Sequence, residues 1–245
     1  MKIIAELHTH SEEYCDHASD TIEQYAKVAK DRGYKYYAAT NHSPLNDFIS
    51  PSSFYVDTIG KKFDGITFLA GIEEDLRDMK GGLNLAQCEL LRLDFVIVSM
   101  HDKFPVEVAD YTPALLAVIK NPAVDCIGHI ARDLSFNYDL DTVLKAVKEY
   151  GKLIEFNSWS LTGYGKVAEC SHVMDRCAEL GVDCIVTSDA HGTDRFGDYG
   201  NVLNILEEKN FPEELVINAS EERMEKFLTR RKEEKKAAYK ALFTL

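Results

Sequence analysis

The chain has 245 residues, 45% of them hydrophobic, and its 28 Lys and Arg against 41 Asp and Glu give a formal charge of −13. That size and apolar content suit one large α/β domain over residues 1–245, with a substantial core. The acidic balance argues against a stable nucleic-acid partner and against docking on an anionic membrane, while leaving room for a local metal-rich pocket that takes anions.

Strand-like and helix-like segments alternate from end to end. Residues 3 to 8 read as a strand, followed by a helix that Asp20 can cap. Glu23 gives the capping-box spacing there, and Ile22, Tyr25, Ala26 and Ala29 form the apolar stripe. "RGYKYYAAT" is a turn and a strand ending near Thr40. Residues 50 to 63 can hold a short helix, and "GITFLAGIE" is the third strand. "LDFVIVSMH" is a continuous apolar run, as expected of a strand buried on both faces. A helix near 112 to 120 precedes the strand "VDCIGH". Leu140, Val143, Leu144 and Val147 fall at helical spacing within 139 to 150. "KLIEFNS" is the sixth strand, 166 to 180 a helix, and "VDCIVTSDAH" the last clear strand. Helices near 200 to 209 and from 220 onward follow. The charged run "TRRKEEKKAAYKAL" reads as a solvated helix. Seven alternations with short connections imply a parallel sheet, and a count this high favours a barrel.

The six cysteines form no CxxC pair, which excludes zinc-finger and thioredoxin readings and suits reduced thiols of a cytoplasmic protein. Cys15 lies among the N-terminal histidines; a partly buried thiol is the plainer reading, a metal ligand the other. "MKIIAEL" lacks the apolar core of a signal peptide, and no apolar run reaches transmembrane length.

The polar residues carry the functional signal. In "ELHTH", Glu6, His8 and His10 alternate and so share one strand face, which is costly unless something satisfies them. His42 ends the second strand, Glu73 the third, His101 the fourth, His129 the fifth, and Asp189 with His191 the seventh. His17 lies in the loop after the first strand, and the sixth strand ends in Asn157 and Ser158. Of eight histidines only His172 falls on a helix, where a surface role is expected. In a parallel barrel the strand C-termini converge on one mouth. Seven imidazoles and two carboxylates meeting there need either water or metal; metal is the favoured reading, and a set that large suits two or three divalent ions. Mixed imidazole and carboxylate donors fit Zn, Mn or Fe. Arg132, Arg195 and Lys103 lie on the same side of the barrel and are candidate phosphate contacts. Trp159 and Tyr164 either shape the mouth or pack.

The ordered set "ELHTH…DHA…TNH…GIE…SMH…GH…SDAH" resembles the PHP (polymerase and histidinol phosphatase) superfamily, and most of all its small stand-alone phosphoesterase branch. The likeness covers nearly the whole chain. It implies a distorted TIM-like (β/α)7 barrel with a trinuclear metal centre. By matching motif, His8, His10, Glu73 and Asp189 would hold the first ion. Glu73 would bridge to a second ion on His101 and His129, and His17, His42 and His191 would hold the third. Glu73, Asp189 and His101 would surround the metal-bound water that attacks a small phosphorylated metabolite such as histidinol phosphate. Glu6 stands where the family commonly has Asp, and from there could orient a ligand. Asn41 replaces the Asp that commonly precedes the second-strand His, keeping a hydrogen bond and losing a charge. Ile130 stands where Pro often follows the fifth-strand His. One extra residue separates His10 from His17, so Asp16 competes with His17 as the loop ligand. Two other classes fit less well. An amidohydrolase-type C–N hydrolase would use a modified lysine as bridge, for which Lys103 is the nearest candidate. A non-catalytic metal-binding module would not need every ligand type retained.

Overall fold

A computed structural model describes residues 1–43, 57–101, 109–132 and 137–244. Seven strands form one sheet in sequence order, every neighbouring pair parallel. They are β1 (Ala5–Glu6), β2 (Tyr36–Ala39), β3 (Thr67–Asp75), β4 (Phe95–Ser99), β5 (Cys126–Ile127), β6 (Leu153–Asn157) and β7 (Cys184–Thr187). The described helices are α1 (Ile22–Asp31), α2 (Gln87–Leu90), α3 (Thr112–Ile119), α4 (Leu140–Glu149), α5 (Ser158–Thr162), α6 (Val167–Leu180), α7 (Gly200–Glu208) and α8 (Glu221–Ala241). The architecture is the expected distorted (β/α)7 barrel. Residues 50–56 of the short helix expected within residues 50–63 lie outside the described residues.

Alternate strand residues fill the barrel. Ala38, Leu69, Phe95, Ile97, Leu153 and Ile185 pack together inside it, and Met224 and Phe227 from the start of α8 plug its lower end. A larger apolar layer, including Val98, Leu115, Val147 and Val173, joins the outer sheet face to the helices. Gly128, just before His129, has no room for a side chain: a Cβ there would overlap the Ser99 hydroxyl and Ile97. The chain needs that close approach to bring His129 to the mouth.

The first strand is shorter than residues 3 to 8. The Glu6 carboxylate accepts from Leu7 N at 3.1 Å and His8 N at 3.2 Å, so these amides leave the ladder. The chain rejoins the seventh strand's end through a single Thr9–Ala190 bridge. Below, Asn218 closes the remaining gap between β1 and β7. Its Nδ2 donates to Ala5 O (3.0 Å) and Val186 O (2.7 Å), and its Oδ1 accepts from Val186 N (3.1 Å). The Asn218→Ala variant leaves three buried backbone groups unsatisfied and should lose about 2–4 kcal/mol of stability; urea unfolding with an unchanged midpoint would contradict this role.

Two expectations are corrected. The N-cap of α1 is Thr21, paired with Gln24 in a capping box. Asp20 instead accepts from Thr193 N (2.8 Å) and Thr193 Oγ1 (3.2 Å), tying the loop after β1 to the loop after β7. The charged run near the C-terminus is not fully solvated. Arg231 and Lys235 are buried and both bind Asp125, at the foot of β5. Among the described residues, no helix is long and apolar enough to cross a membrane.

Candidate metal centre

Glu73 sits at the middle of the mouth. Its Oε1 accepts from Ser99 Oγ (2.6 Å) and lies 2.9 Å from His129 Nε2 and 3.4 Å from His101 Nε2. Its Oε2 lies 2.7 Å from His42 Nδ1, 3.4 Å from His8 Nε2 and 3.7 Å from His10 Nε2. One carboxylate thus divides five imidazoles between its two oxygens. Its backbone is fixed by β3 and by a parallel bridge to His42. Burial would raise its pKa, but His8, His101 and His42 outweigh burial and hold the carboxyl well below its usual range.

Asp189 faces it across the mouth. Its Oδ1 is 3.1 Å from His10 Nε2 and 3.5 Å from His8 Nε2, and its Oδ2 accepts from Asn157 Nδ2 at 3.1 Å. Its backbone φ is 53°, in the left-handed region that costs a non-glycine residue about 1–2 kcal/mol. The strain is spent on aiming this carboxylate at the histidines. Here too burial opposes ionisation, and His8 and His10 hold the carboxyl well below its usual range.

The histidines converge. Ring centroids are 5.1 Å apart for His8 and His10, 4.3 Å for His10 and His42, 4.1 Å for His10 and His191, 5.4 Å for His42 and His101, and 5.0 Å for His101 and His129. His17 stacks on His191 at 4.6 Å, but its side chain is 56% exposed and paired with Asp16 at 2.9 Å. Cys15, by contrast, is fully buried beside the cluster. His172 is exposed on α6, outside it.

Two carboxylates that the sequence reading passed over orient the rings. Glu155 Oε1 is 2.6 Å from His8 Nδ1, and Glu155 Oε2 accepts from His129 N at 2.6 Å. Asp75 Oδ1 is 2.6 Å from His101 Nδ1. Each pairing leaves the Nε2 of its ring toward Glu73. The signal was present: Glu155 stands two residues before Asn157 on β6, and Asp75 two after Glu73 on β3, so each shares its neighbour's strand face. Burial would lower the His8 pKa, yet Glu155, Asp189 and Glu73 together push it well up. The same contest, with Glu73 and Asp75 opposing burial, lifts His101 to about 10.

Glu6 and Asn41 touch no imidazole. Glu6 receives Ser188 Oγ (2.7 Å) and Ser188 N (3.2 Å), and reaches His8 only through its backbone; burial outweighs these bonds and raises its pKa to about 7. Asn41 Oδ1 accepts from Ser11 N (2.7 Å) and its Nδ2 donates to Ser11 Oγ (3.0 Å), which fixes the loop after β1.

The donor set suits divalent cations. His8 Nε2, His10 Nδ1 and Glu73 Oε2 are buried and make no hydrogen bond. Such atoms are costly in a core without a further partner. Among the described residues three groups of ligand atoms lie within 4.8 Å of one another: His8, His10 and Asp189; His42, Glu73 and His101; and His10, Cys15, His42 and His191. The mouth opens into a cavity of about 380 Å³ that Arg132, Arg195, Trp159 and Tyr164 help to line. Arg195 lies over the Trp159 ring at 4.3 Å and Arg132 over the Tyr164 ring at 4.7 Å, so the aromatics position both guanidiniums. Arg132 Nη2 is also 2.7 Å from His129 Nε2. Lys103 lies outside the described residues.

Known proteins resemble the chain in sequence and in fold. The PHP domain family model matches residues 6–161. A probable phosphatase of Acetivibrio thermocellus is 34% identical over 239 residues, covering 95% of this chain and 98% of the relative. A probable phosphatase of Caldanaerobacter subterraneus is 35% identical over 236 residues, covering 93% and 92%. Among solved structures, histidinol phosphate phosphatase from Lactococcus lactis, complexed with zinc, L-histidinol and phosphate, superposes with a TM-score of 0.58 at 19% identity. That match covers 86% of this chain and 93% of the other.

Proposed function

The chain belongs to the PHP domain family, and from that premise we propose that residues 1–245 form one metal-dependent phosphatase acting on a small phosphorylated metabolite. The observation that carries the reading is Glu73, buried and within 3.7 Å of nitrogens from five histidines. The names of the relatives point the same way. His8, His10, Glu73 and Asp189 would hold one ion, and Glu73, His101 and His129 a second. His42 and His191, with a residue of the loop after β1, would hold a third. Zn, Mn and Fe all suit these donors. Bound there, such ions would acidify a coordinated water, neutralise charge on the phosphoryl oxygens and hold the leaving oxygen.

The chain's own groups do the rest. Glu155 and Asp75 fix the ring orientations of His8 and His101. Arg132 and Arg195 present guanidiniums to a phosphate at the mouth, where bidentate charge-assisted bonds are strongest. Trp159 and Tyr164 restrict what surrounds that phosphate. Histidinol phosphate is one candidate of this class. Among the described residues the centre is occupied by a carboxylate, Glu73, which favours phosphoester over C–N hydrolysis.

The test is hydrolysis of p-nitrophenyl phosphate by full-length protein before and after chelation. Chelation should abolish turnover, and added Zn or Mn should restore it. Turnover indifferent to chelation, or none after restoration, would count against the proposal. The Glu155→Gln variant should keep the fold and lose about 10–100-fold in kcat/KM, the usual cost of removing a partner that orients a metal-binding histidine. Wild-type activity in that variant would remove Glu155 from the mechanism.

A further inference from the structure

We propose that Glu6 and Ser188 form a clasp across the barrel seam that positions His8 and Asp189 for the first ion; the proposal rests on the metalloenzyme reading above. These two ligands come from opposite edges of the sheet, His8 after β1 and Asp189 after β7. Among the described residues those strands share no ladder; they meet at the Thr9–Ala190 bridge above and through Asn218 below. Ligands on edges without a ladder need some other tie to keep their spacing. Glu6 stands in that gap, fully buried, and Ser188 is 5% exposed. Glu6 Oε1 accepts from Leu7 N (3.1 Å), His8 N (3.2 Å) and Ser188 N (3.3 Å). Its Oε2 accepts from Ser188 Oγ (2.7 Å) and Ser188 N (3.2 Å). One side chain therefore holds the backbone of His8 and of the residue just before Asp189.

The Asp189 backbone makes the clasp more than a closure of the barrel. Its φ of 53° is a left-handed conformation that persists only where the surroundings over-determine it. Glu6 fixes the preceding residue at both amide and hydroxyl, and Asn157 Nδ2 holds the Asp189 carboxylate from the other side at 3.1 Å. His8 is held twice as well: Glu6 takes its amide, and Glu155 its Nδ1 at 2.6 Å. His8 Nε2 and Asp189 Oδ1 then stand 3.5 Å apart, with both backbones tied to one side chain. The position calls for a carboxylate. Three amides and a hydroxyl converge on Glu6, and its two oxygens can accept from all of them. A glutamine has a single acceptor oxygen; turned toward Leu7 and His8, it sets its NH2 group against the Ser188 amide. Glu6 reaches no imidazole nitrogen and acts through the backbone, so it is a positioning residue of the kind that supports a metal ligand from behind.

The test compares Glu6→Gln and Ser188→Ala with Asn218→Ala, which opens the same seam lower down, away from the ligands. Zinc is titrated into each full-length protein against a competing chromophoric chelator, and kcat, KM and unfolding stability are measured alongside. Glu6→Gln and Ser188→Ala should bind one zinc ion about 10–100-fold more weakly and lose kcat by a similar factor. KM should change little, because Arg132 and Arg195 are untouched. Asn218→Ala should lose stability and keep both zinc affinity and kcat. Wild-type zinc affinity and kcat in Ser188→Ala would overturn the clasp and leave the metal centre standing; that variant removes one hydroxyl, so it decides the matter even if Glu6→Gln does not fold. An equal loss in Asn218→Ala would also overturn it, because barrel closure alone would then account for the effect. Wild type that binds no zinc would overturn this proposal and the metalloenzyme reading together.

Discussion

Replacing Glu73 by glutamine is expected to strip metal from the centre and lower turnover by about 1,000-fold or more. Glutamine keeps the volume and can still accept from Ser99, so the strand and its hydrogen bond survive. What goes is the charge shared among His8, His10, His42, His101 and His129. A bridging carboxylate lets two cations sit close together without repelling each other, and metal ions supply several kcal/mol of charge stabilisation to the reaction. Each 1.4 kcal/mol is tenfold in rate, so losing about 4 kcal/mol gives the stated factor. The loss should appear in kcat, with metal content falling in parallel. A Glu73→Gln protein with wild-type metal content and rate would rule out a bridging role.

The second large effect lies at the opposite end of the barrel and concerns stability. Asp125 is fully buried and binds Arg231 Nε at 2.7 Å, the Lys235 ammonium, and Val96 N at 2.8 Å. Arg231 also donates to Val124 O at 2.9 Å, and Lys152 reaches the same carbonyl at 2.6 Å. Asp125→Asn would leave the buried Lys235 ammonium without its counter-charge and Arg231 with only the half-exposed Glu234, and should cost about 3–5 kcal/mol. Denaturant unfolding measures this, and a change below about 1 kcal/mol would contradict it. The cluster also sets a pH dependence. Burial, reinforced by Arg231, lowers the Lys152 pKa to about 7 from its ordinary 10.5. Between those values the unfolded chain holds a proton that the folded chain has released, so Lys152 should make stability rise as pH climbs from about 7 toward 10.5. Lys152→Met should flatten that rise.

His8, His10, His42, His101, His129 and His191 were legible because they follow the apolar runs of strands, and a parallel barrel gathers such ends at one mouth. Glu155 and Asp75 were less visible. Glu155 is embedded in the apolar run "LIEFN", and Asp75, the last residue of β3, follows the more conspicuous Glu73, which the sequence reading places at the strand's end. Period-two spacing from Asn157 and Glu73 was the available signal. Glu6 was misjudged for the opposite reason. Its alternation with His8 implied one continuous face, but its carboxylate captures the His8 amide and ends the ladder between them. The α8 tail shows how charge can mask a core stripe. Met224, Phe227, Arg231 and Lys235 recur at three- and four-residue intervals and are all buried. Asp125, distant in sequence, with the carbonyls of Val124 and Leu93, makes the last two tolerable there.

The most direct measurement is the metal content of full-length protein purified without chelator, read by plasma mass spectrometry against protein concentration. About three ions per chain are expected, falling when Glu73 is replaced. Fewer than about one ion per chain, even after reconstitution with zinc and manganese, would contradict the metal centre on which the proposed chemistry depends.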